Sequence, residues 1–126
     1  MGLFSSKPKS VFPWIHITTE EQLFEAWDNN SGNTQLFFKH STRCSISSMA
    51  LSRFEEKWDK DEKRCTAYFI DLIAYRSVSN LLEKISGVVH QSPQVIVEQN
   101  KEVIYSATHS EIDAHYIQKL LPTEKA

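Results

Sequence analysis

A cysteine stands where an apolar run gives way to an amphipathic segment, a position that could support nucleophilic chemistry. Leu36-Phe37-Phe38 predicts a buried strand, and Cys44 follows it after a short polar turn. The segment after Cys44 has helical spacing, so the thiol would lie at the carboxyl end of a strand and the amino end of a helix. Unpaired N–H groups and the helix dipole favour thiolate over thiol there. Cys44 is therefore a candidate nucleophile; the alternative is an ordinary small residue that opens a helix.

Residues that can carry positive charge surround this cysteine in the sequence. Lys39 and His40 precede the turn, and Arg43 comes immediately before Cys44. A nearby cation stabilises a thiolate, and an arginine fork can also bind a carboxylate. The sequence shows no tight His/Cys spacing typical of a metal site, so we expect no metal.

Composition limits the classes of protein to consider. The chain has 126 residues, 40% of them apolar and 24% charged, which indicates one globular domain with a sizeable core. Its formal net charge of -2 argues against a general nucleic-acid binder, and no apolar run is long enough to span a membrane. Two cysteines without an export signal favour a reducing cytoplasm. We predict a tail at 1–13, one domain at 14–121 and a second tail at 122–126.

The apolar periodicity predicts an α/β fold. A short strand at 14–17 leads into a helix with a capping box from Thr18 to Glu21. Strands at 34–39 and 66–72 flank a helix that starts near Cys44, which is a parallel, right-handed crossover. A helix at 77–86 with a stop at Gly87, an antiparallel hairpin and a last helix follow. The predicted order is β-α-β-α-β-α-β-β-α, with a mixed sheet of four to five strands flanked by helices.

The helix after Cys44 has apolar residues at three-and-four spacing, which predicts one buried stripe. The residues of this stripe are Ile46, Met49, Ala50, Phe54 and Trp58.

This order of elements resembles the thioredoxin fold, with a cysteine after the second strand and Pro93 just before the hairpin. In that family the corresponding proline is cis and faces the active cysteine. The resemblance implies that Pro93 presents the backbone of Ser92 to an extended, thiol-bearing substrate. Without the resemblance, Pro93 would be read as a proline that opens a strand.

Three separated segments resemble the YtxJ family of monothiol, thioredoxin-like proteins, which are also called bacilliredoxins and belong to the bacillithiol system. The segments are HSTRCSIS at 40–47, YRSVSN at 75–80 and HQSPQV at 90–95. The similarity spans roughly residues 14–120. Two positions differ from the family pattern: Ser45 replaces a proline, and Gln91 replaces a glutamate.

The resemblance implies a monothiol thiol–disulfide oxidoreductase in which Cys44 removes bacillithiol from mixed disulfides of client proteins. The co-substrate would be the small thiol itself, with no other cofactor, and the partners would be S-thiolated proteins. Because bacillithiol carries carboxylates, Arg43, Arg76 and Lys39 are candidate anchors, and His40 and His90 flank the site. The substrate-binding residues implied are Thr42, Arg43, Ser45, Ser47, Arg76, Ser92 and Pro93.

The second cysteine is not placed to act with the first. A Cys-x-x-Cys protein would have its partner thiol at Ser47, and serine cannot resolve a mixed disulfide. Cys65 starts the third strand, so a strand of about six residues at roughly 3.3 Å each separates it from Cys44. Bridged cysteines need Cα atoms within about 7 Å. We therefore predict no disulfide between them and a structural role for Cys65.

Two other functions remain open from the sequence. The domain could be a non-catalytic binding module that holds a peptide between Cys44 and Pro93, and the Ser45 difference keeps this reading open. A peroxidase is less well supported, because the chain has Ser41-Thr42-Arg43-Cys44 in place of a Thr-x-x-Cys motif.

Overall fold

The computed structural model describes residues 12–28 and 33–122, and the predicted order of elements is confirmed in it. Most of each predicted tail, and most of the turn predicted at 29–33, lies outside the described residues. The elements are β1 Ile15–His16, α1 Glu20–Trp27, β2 Thr34–His40, α2 Ser45–Lys57, β3 Cys65–Asp71, α3 Arg76–Ser86, β4 Gln94–Gln99, β5 Glu102–Thr108, a 3₁₀ turn His109–Glu111 and α4 Ala114–Leu120.

The strands form one mixed sheet in the order β1-β3-β2-β4-β5. β3 pairs in parallel with both β1 and β2, whereas β4 is antiparallel to β2 and β5 is antiparallel to β4. All seven residues of β2 are buried, as expected for a central strand covered on both faces. The chain therefore leaves β2 at the middle of the sheet, and the turn that carries Cys44 begins there.

A hydrophobic core lies on each face of the sheet. Alternate residues of β2 divide between them, because successive side chains of a strand point to opposite faces. Phe38 packs with Phe54 of α2 and Ile117 of α4 in one core. Phe37 packs in the other core with residues of α1 and α3 that include Trp27 and Leu82. The sheet is thus held between two helical layers.

Two boundaries differ from the prediction by one or two residues. The capping box of α1 uses Thr19 and Gln22, not Thr18 and Glu21. The Gln22 side chain accepts hydrogen bonds from the backbone N–H groups of both preceding threonines, which fixes the helix start one residue later. Phe12, assigned to the tail, is buried against Trp14 and belongs to the core. The domain therefore includes at least residue 12.

The predicted stripe on α2 is wrong in its first turns. The buried side is formed by Ser47, Ala50 and Phe54, with Trp58 just after the helix. Ile46 and Met49 are 57% and 67% exposed. Each precedes a buried residue by one position, which rotates it about 100° around the helix. These two apolar side chains therefore face outward close to Cys44.

One edge of the sheet collects the segments named by the motifs. β2 and β3 end together, with His40 opposite Asp71, and β4 begins beside them, with Gln94 opposite Lys39. The turn after β2, the turn after β3 and the loop before β4 therefore meet at this carboxyl edge. Gly87 ends α3 with a φ of 74°, as predicted, and releases the chain into that loop.

Candidate active site

Cys44 is the N-cap residue of α2 and is partly exposed. Its backbone is extended, with φ -114° and ψ 119°. Its N–H donates to the Ser41 carbonyl at 3.2 Å, and its own carbonyl accepts from Ser48 N–H at 3.0 Å. Within the described structure, Sγ accepts no capping hydrogen bond from the helix. The thiol therefore stands at the amino end of a helix, at the carboxyl edge of the sheet, and is accessible to a reactant.

Ser47 occupies the position of a second thiol, but it is buried. Its Oγ lies 2.7 Å from His40 Nδ1 and accepts a hydrogen bond from the backbone N–H of Ser41 at 3.1 Å. These contacts fasten the first turn of α2 to the end of β2. The burial is inconsistent with the direct substrate contact predicted for Ser47, since a hydroxyl held inside the turn has no surface to offer.

His40 is the partner that completes this turn. Burial lowers the pKa of its imidazole, against the opposing effect of the Asp71 and Glu55 carboxylates. A neutral ring can accept the Ser47 hydroxyl proton at Nδ1, because the same oxygen already accepts from Ser41. His40 was expected to flank the site; in the structure its ring is almost closed to solvent and supports the turn through Ser47.

The predicted role of Lys39 as a surface anchor is wrong. Its side chain is 0% exposed, within the face of the sheet that α1 and α3 cover. Its Nζ lies 2.6 Å from His90 Nδ1 and donates to Gln94 Oε1 at 3.1 Å. Burial lowers the pKa of Lys39 to about 8, and the Glu83 carboxylate opposes this effect. Strand alternation explains the error, because Lys39 follows Phe38 and shares the face of Phe37.

The loop before β4 carries Ser92 and Pro93. The peptide bond between them is cis, Pro93 is buried, and Ser92 is partly exposed. The Pro93 carbonyl accepts from the backbone N–H of His109 at 3.2 Å, which ties the loop to the end of β5. Gln94, the next residue, lies opposite Lys39 near the end of β2. Ser92 and Pro93 are therefore at the edge of the sheet where the Cys44 turn begins.

The remaining predicted residues are exposed at this edge. Thr42 and Arg43 lie in the turn, and Ser45 is the first residue of α2. Arg76 is the first residue of α3 and lies close enough to His90 for its charge to lower the pKa of that imidazole, after the larger effects of burial and Lys39. The structure thus brings Arg43 and Arg76 to one edge as side chains that a ligand could reach.

Cys65 lies at the opposite edge of the sheet, where it pairs with Thr34. Both cysteines are free, so the predicted absence of a disulfide between them is confirmed. Burial raises the pKa of the Cys65 thiol to about 12, with a smaller contribution in the same direction from Glu62. A neutral, buried thiol is a poor nucleophile.

Gln94 and Glu83 also belong to the site, although neither was among the residues predicted from the sequence. Gln94 is buried and bonds both Lys39 and the loop backbone, while Glu83 accepts the N–H of His90 at 2.7 Å. A polar residue inside an apolar strand could have pointed to Gln94, because a buried amide needs hydrogen-bond partners. Lys39, a charged residue that follows the apolar run of the neighbouring strand β2, could have indicated such a partner in the same way.

Two other kinds of functional feature are absent from the described residues. No group of three or more His, Cys, Asp or Glu residues there could hold a metal ion. None of the helices in that part of the chain is long and apolar enough to cross a membrane.

Fold and site define a thioredoxin-fold protein with a single accessible cysteine at the start of α2. The family model described as monothiol bacilliredoxin BrxC matches residues 15–117, so the chain belongs to the monothiol bacilliredoxin family. This membership supports a thiol oxidoreductase role and agrees with the resemblance drawn from the three motifs.

Solved structures show the same fold. A putative oxidoreductase with a thioredoxin fold superimposes with a TM-score of 0.72 at 23% identity, covering 83% of this chain and 90% of the other. Thioredoxin from Trypanosoma brucei brucei gives 0.68 at 11% identity, with 91% and 95% covered. Thioredoxin from Malassezia sympodialis gives 0.64 at 13% identity, with 92% and 96% covered.

Proposed function

We propose that this protein is a monothiol thiol–disulfide oxidoreductase that uses Cys44 to remove bacillithiol from mixed disulfides of client proteins. One observation carries the proposal. Cys44 is accessible and lies at the start of α2. Ser47 stands where a Cys-x-x-Cys protein has its second thiol, and it is buried and hydrogen-bonded within the turn. Membership of the monothiol bacilliredoxin family agrees with this arrangement.

Each cycle uses one protein nucleophile and one free bacillithiol, in addition to the bacillithiol that the client carries. The Cys44 thiolate attacks the bacillithiol sulfur of the mixed disulfide; a new S–S bond forms and the client leaves as a thiolate that takes up a proton. The client sulfur is thereby reduced and Cys44 is oxidised. A second bacillithiol thiolate attacks the bacillithiol sulfur on Cys44, which releases bacillithiol disulfide and restores the Cys44 thiolate. The buried Ser47 hydroxyl takes no part in either transfer.

The exposed groups at the carboxyl edge suit a small anionic thiol. Arg43 and Arg76 present guanidinium groups that can bind carboxylates in a bidentate fashion. Thr42 and Ser45 add hydroxyl groups near Cys44 in the sequence. The backbone of Ser92, which precedes Pro93, would bind the extended substrate. No other cofactor is required. The proposed clients are S-thiolated proteins, and the proposed compartment is a reducing cytoplasm, where such exchange is kept running by the small-thiol pool.

A non-catalytic binding module remains the second candidate, and one observation favours it. Ile46 and Met49 are exposed next to Cys44 and could contact a bound peptide. The same side chains could contact a client protein during exchange, so the two functions differ in whether Cys44 becomes covalently modified.

Intact mass spectrometry tests the proposal directly. Reduced protein is mixed with bacillithiol disulfide and, separately, with glutathione disulfide, alongside a Cys44→Ser variant. We expect one rapid adduct from bacillithiol that the variant lacks. Equal labelling by both disulfides would preserve the exchange chemistry and remove the assignment of bacillithiol. No adduct, or an adduct only on Cys65, would contradict the proposal and favour the binding module.

A further inference from the structure

We propose that Lys39 is a positioning residue: from inside the sheet its side chain fixes the loop at 88–93, so that thiol exchange at Cys44 depends on it. The inference rests on the proposed function and concerns a fully buried residue. Lys39 contacts His90 and Gln94, and both belong to the segment that enters β4.

Gln94 is the centre of the hydrogen bonds that shape this loop. Its Nε2 donates to the Val89 carbonyl at 2.9 Å, and its Oε1 accepts from the backbone N–H of Gln91 at 3.3 Å. The same Oε1 accepts from Lys39 Nζ at 3.1 Å. Lys39 therefore orients the amide that holds the loop backbone at two points. Residues 92 and 93, the substrate-facing part by resemblance, lie between those points and β4.

His90 provides a second connection between Lys39 and the loop. Lys39 Nζ donates to the unprotonated Nδ1 of His90 across 2.6 Å, while the backbone N–H of His90 donates to Glu83 Oε2 at 2.7 Å. Burial lowers the pKa of His90, and Lys39, Arg76 and Glu83 are the charged groups that act on it. A neutral imidazole is the form that can accept from the ammonium group.

β2, which contains Lys39, also supports the turn that carries the reactive cysteine. His40 follows Lys39 and supports the Cys44 turn through Ser47, on the opposite face of the sheet. One stretch of β2 thus holds the loop at 88–93 from one face and the Cys44 turn from the other. When the Cys44 thiolate attacks a disulfide, the attacking, central and leaving sulfur atoms must lie in line. That alignment depends on the relative placement of the Cys44 turn and the loop at 88–93.

A purely structural residue would not be expected to be a lysine at this place. Burial lowers the pKa of Lys39 to about 8, which means that the charged form is disfavoured in the folded state; Glu83 from α3 opposes this only in part. Methionine has a similar length and fills a core without that cost. The position of Lys39 therefore costs stability that an apolar side chain of the same length would not cost, and its contacts with His90 and Gln94 are what the lysine supplies in return.

The test compares exchange with simple alkylation in Lys39→Met. Exchange is followed as the rate of adduct formation with bacillithiol disulfide, and alkylation as the rate with iodoacetamide, which needs the thiolate but no docked disulfide. We expect exchange to fall roughly tenfold or more, alkylation to stay within about twofold, and the melting temperature to be unchanged or higher. Lys101→Met, an exposed lysine in the turn between β4 and β5, is the matched control.

The pH dependence gives a readout that a structural role would not change. In the wild type, the ratio of exchange rate to alkylation rate should fall as pH rises through about 8, where Lys39 loses its proton. In Lys39→Met that ratio should be flat. His90→Ala removes one of the two contacts of Lys39. Because His90 is exposed, we expect the variant to keep the fold and to lower exchange without lowering alkylation.

The outcomes separate the inference from the proposed function. A wild type that forms no adduct with bacillithiol or glutathione disulfide refutes the proposed function. An active wild type with unchanged exchange in Lys39→Met refutes the inference alone. Equal losses of exchange and alkylation, or a lower melting temperature with no effect of His90→Ala, would also overturn it, because Lys39 would then act on the thiol or on the fold in general.

Discussion

Ser47 Oγ lies 2.7 Å from His40 Nδ1, at the position that a two-cysteine protein gives to its second thiol. The backbone N–H of Ser41 donates to the same oxygen. The hydroxyl therefore joins the end of β2, the turn and the first turn of α2, and Cys44 lies within the segment that it closes. The serine that replaces the second thiol therefore stabilises the turn that carries Cys44.

Replacing Ser47 with alanine should destabilise the protein. The variant leaves the buried Ser41 N–H without its partner, which costs about 1–3 kcal/mol. Ser48→Ala, one residue along the helix and exposed, should change the free energy of unfolding by less than about 0.5 kcal/mol. Urea denaturation of both variants measures the difference. Equal stability of the two would show that the Ser47 contacts contribute nothing to the folded state.

The protein should lose stability in mild acid because of His40. Burial lowers its folded-state pKa, so the unfolded chain binds the proton more readily. As pH falls below about 6.5, the free energy of unfolding therefore decreases until the folded imidazole also titrates. His40→Asn keeps a hydrogen-bonding group toward Ser47 but does not titrate. Urea midpoints at pH 7.5 and 5.5 should differ less in this variant than in the wild type; an identical difference would refute the assignment.

Ser45→Pro, which restores the residue usual in the family, should stabilise α2. Position 45 is the first residue of the helix, where proline is favoured, and Cys44 has the extended backbone that a residue before proline requires. The expected gain is about 0.4–1 kcal/mol, measured by thermal unfolding, with exchange at Cys44 retained. A lower melting temperature would show that the Ser45 N–H has a role that proline cannot replace.

Glu98→Gln should stabilise the protein at neutral pH. Glu98 and Gln35 are directly paired across β4 and β2, and each has a buried Oε1 without a hydrogen-bond partner in the described structure. Burial raises the pKa of Glu98, so its contribution to stability is present in acid and lost as pH rises through the folded-state value. A neutral amide could donate to Gln35, with a gain of roughly 1 kcal/mol at pH 8. The gain should shrink toward pH 4.5, and a gain independent of pH would contradict this explanation.

Much of the fold was predictable because the interactions that define its elements are local in sequence. The continuous apolar runs of β2 and β3 indicated strands covered on both faces, and Gly87 indicated the end of α3. The same reasoning placed Cys44 and Cys65 at opposite edges. The outward direction of Ile46 and Met49 was not predictable, since it depends on which side of α2 meets the sheet, and apolar spacing alone allows more than one answer.

The polar part of the site was harder to predict than the apolar part. Lys39 was a candidate anchor for a carboxylate and Ser47 a substrate-binding residue implied by the resemblance, but both are buried. Their burial is compensated by partners in other elements: His90, 51 residues away, for Lys39, and His40 at the end of β2 for Ser47. Sequence periodicity gives the face of an element; it does not give the partner of a polar group across the sheet.

The most direct test of the central claim is recovery of a client protein that carries one bacillithiol in a mixed disulfide. The client is incubated with catalytic amounts of wild type, Cys44→Ser or Cys65→Ser, together with free bacillithiol, and its mass is followed over time. We predict that wild type and Cys65→Ser remove the bacillithiol at similar rates, while Cys44→Ser stays at the rate of free bacillithiol alone. Removal by Cys44→Ser at the wild-type rate, or no acceleration by the wild type, would contradict the account.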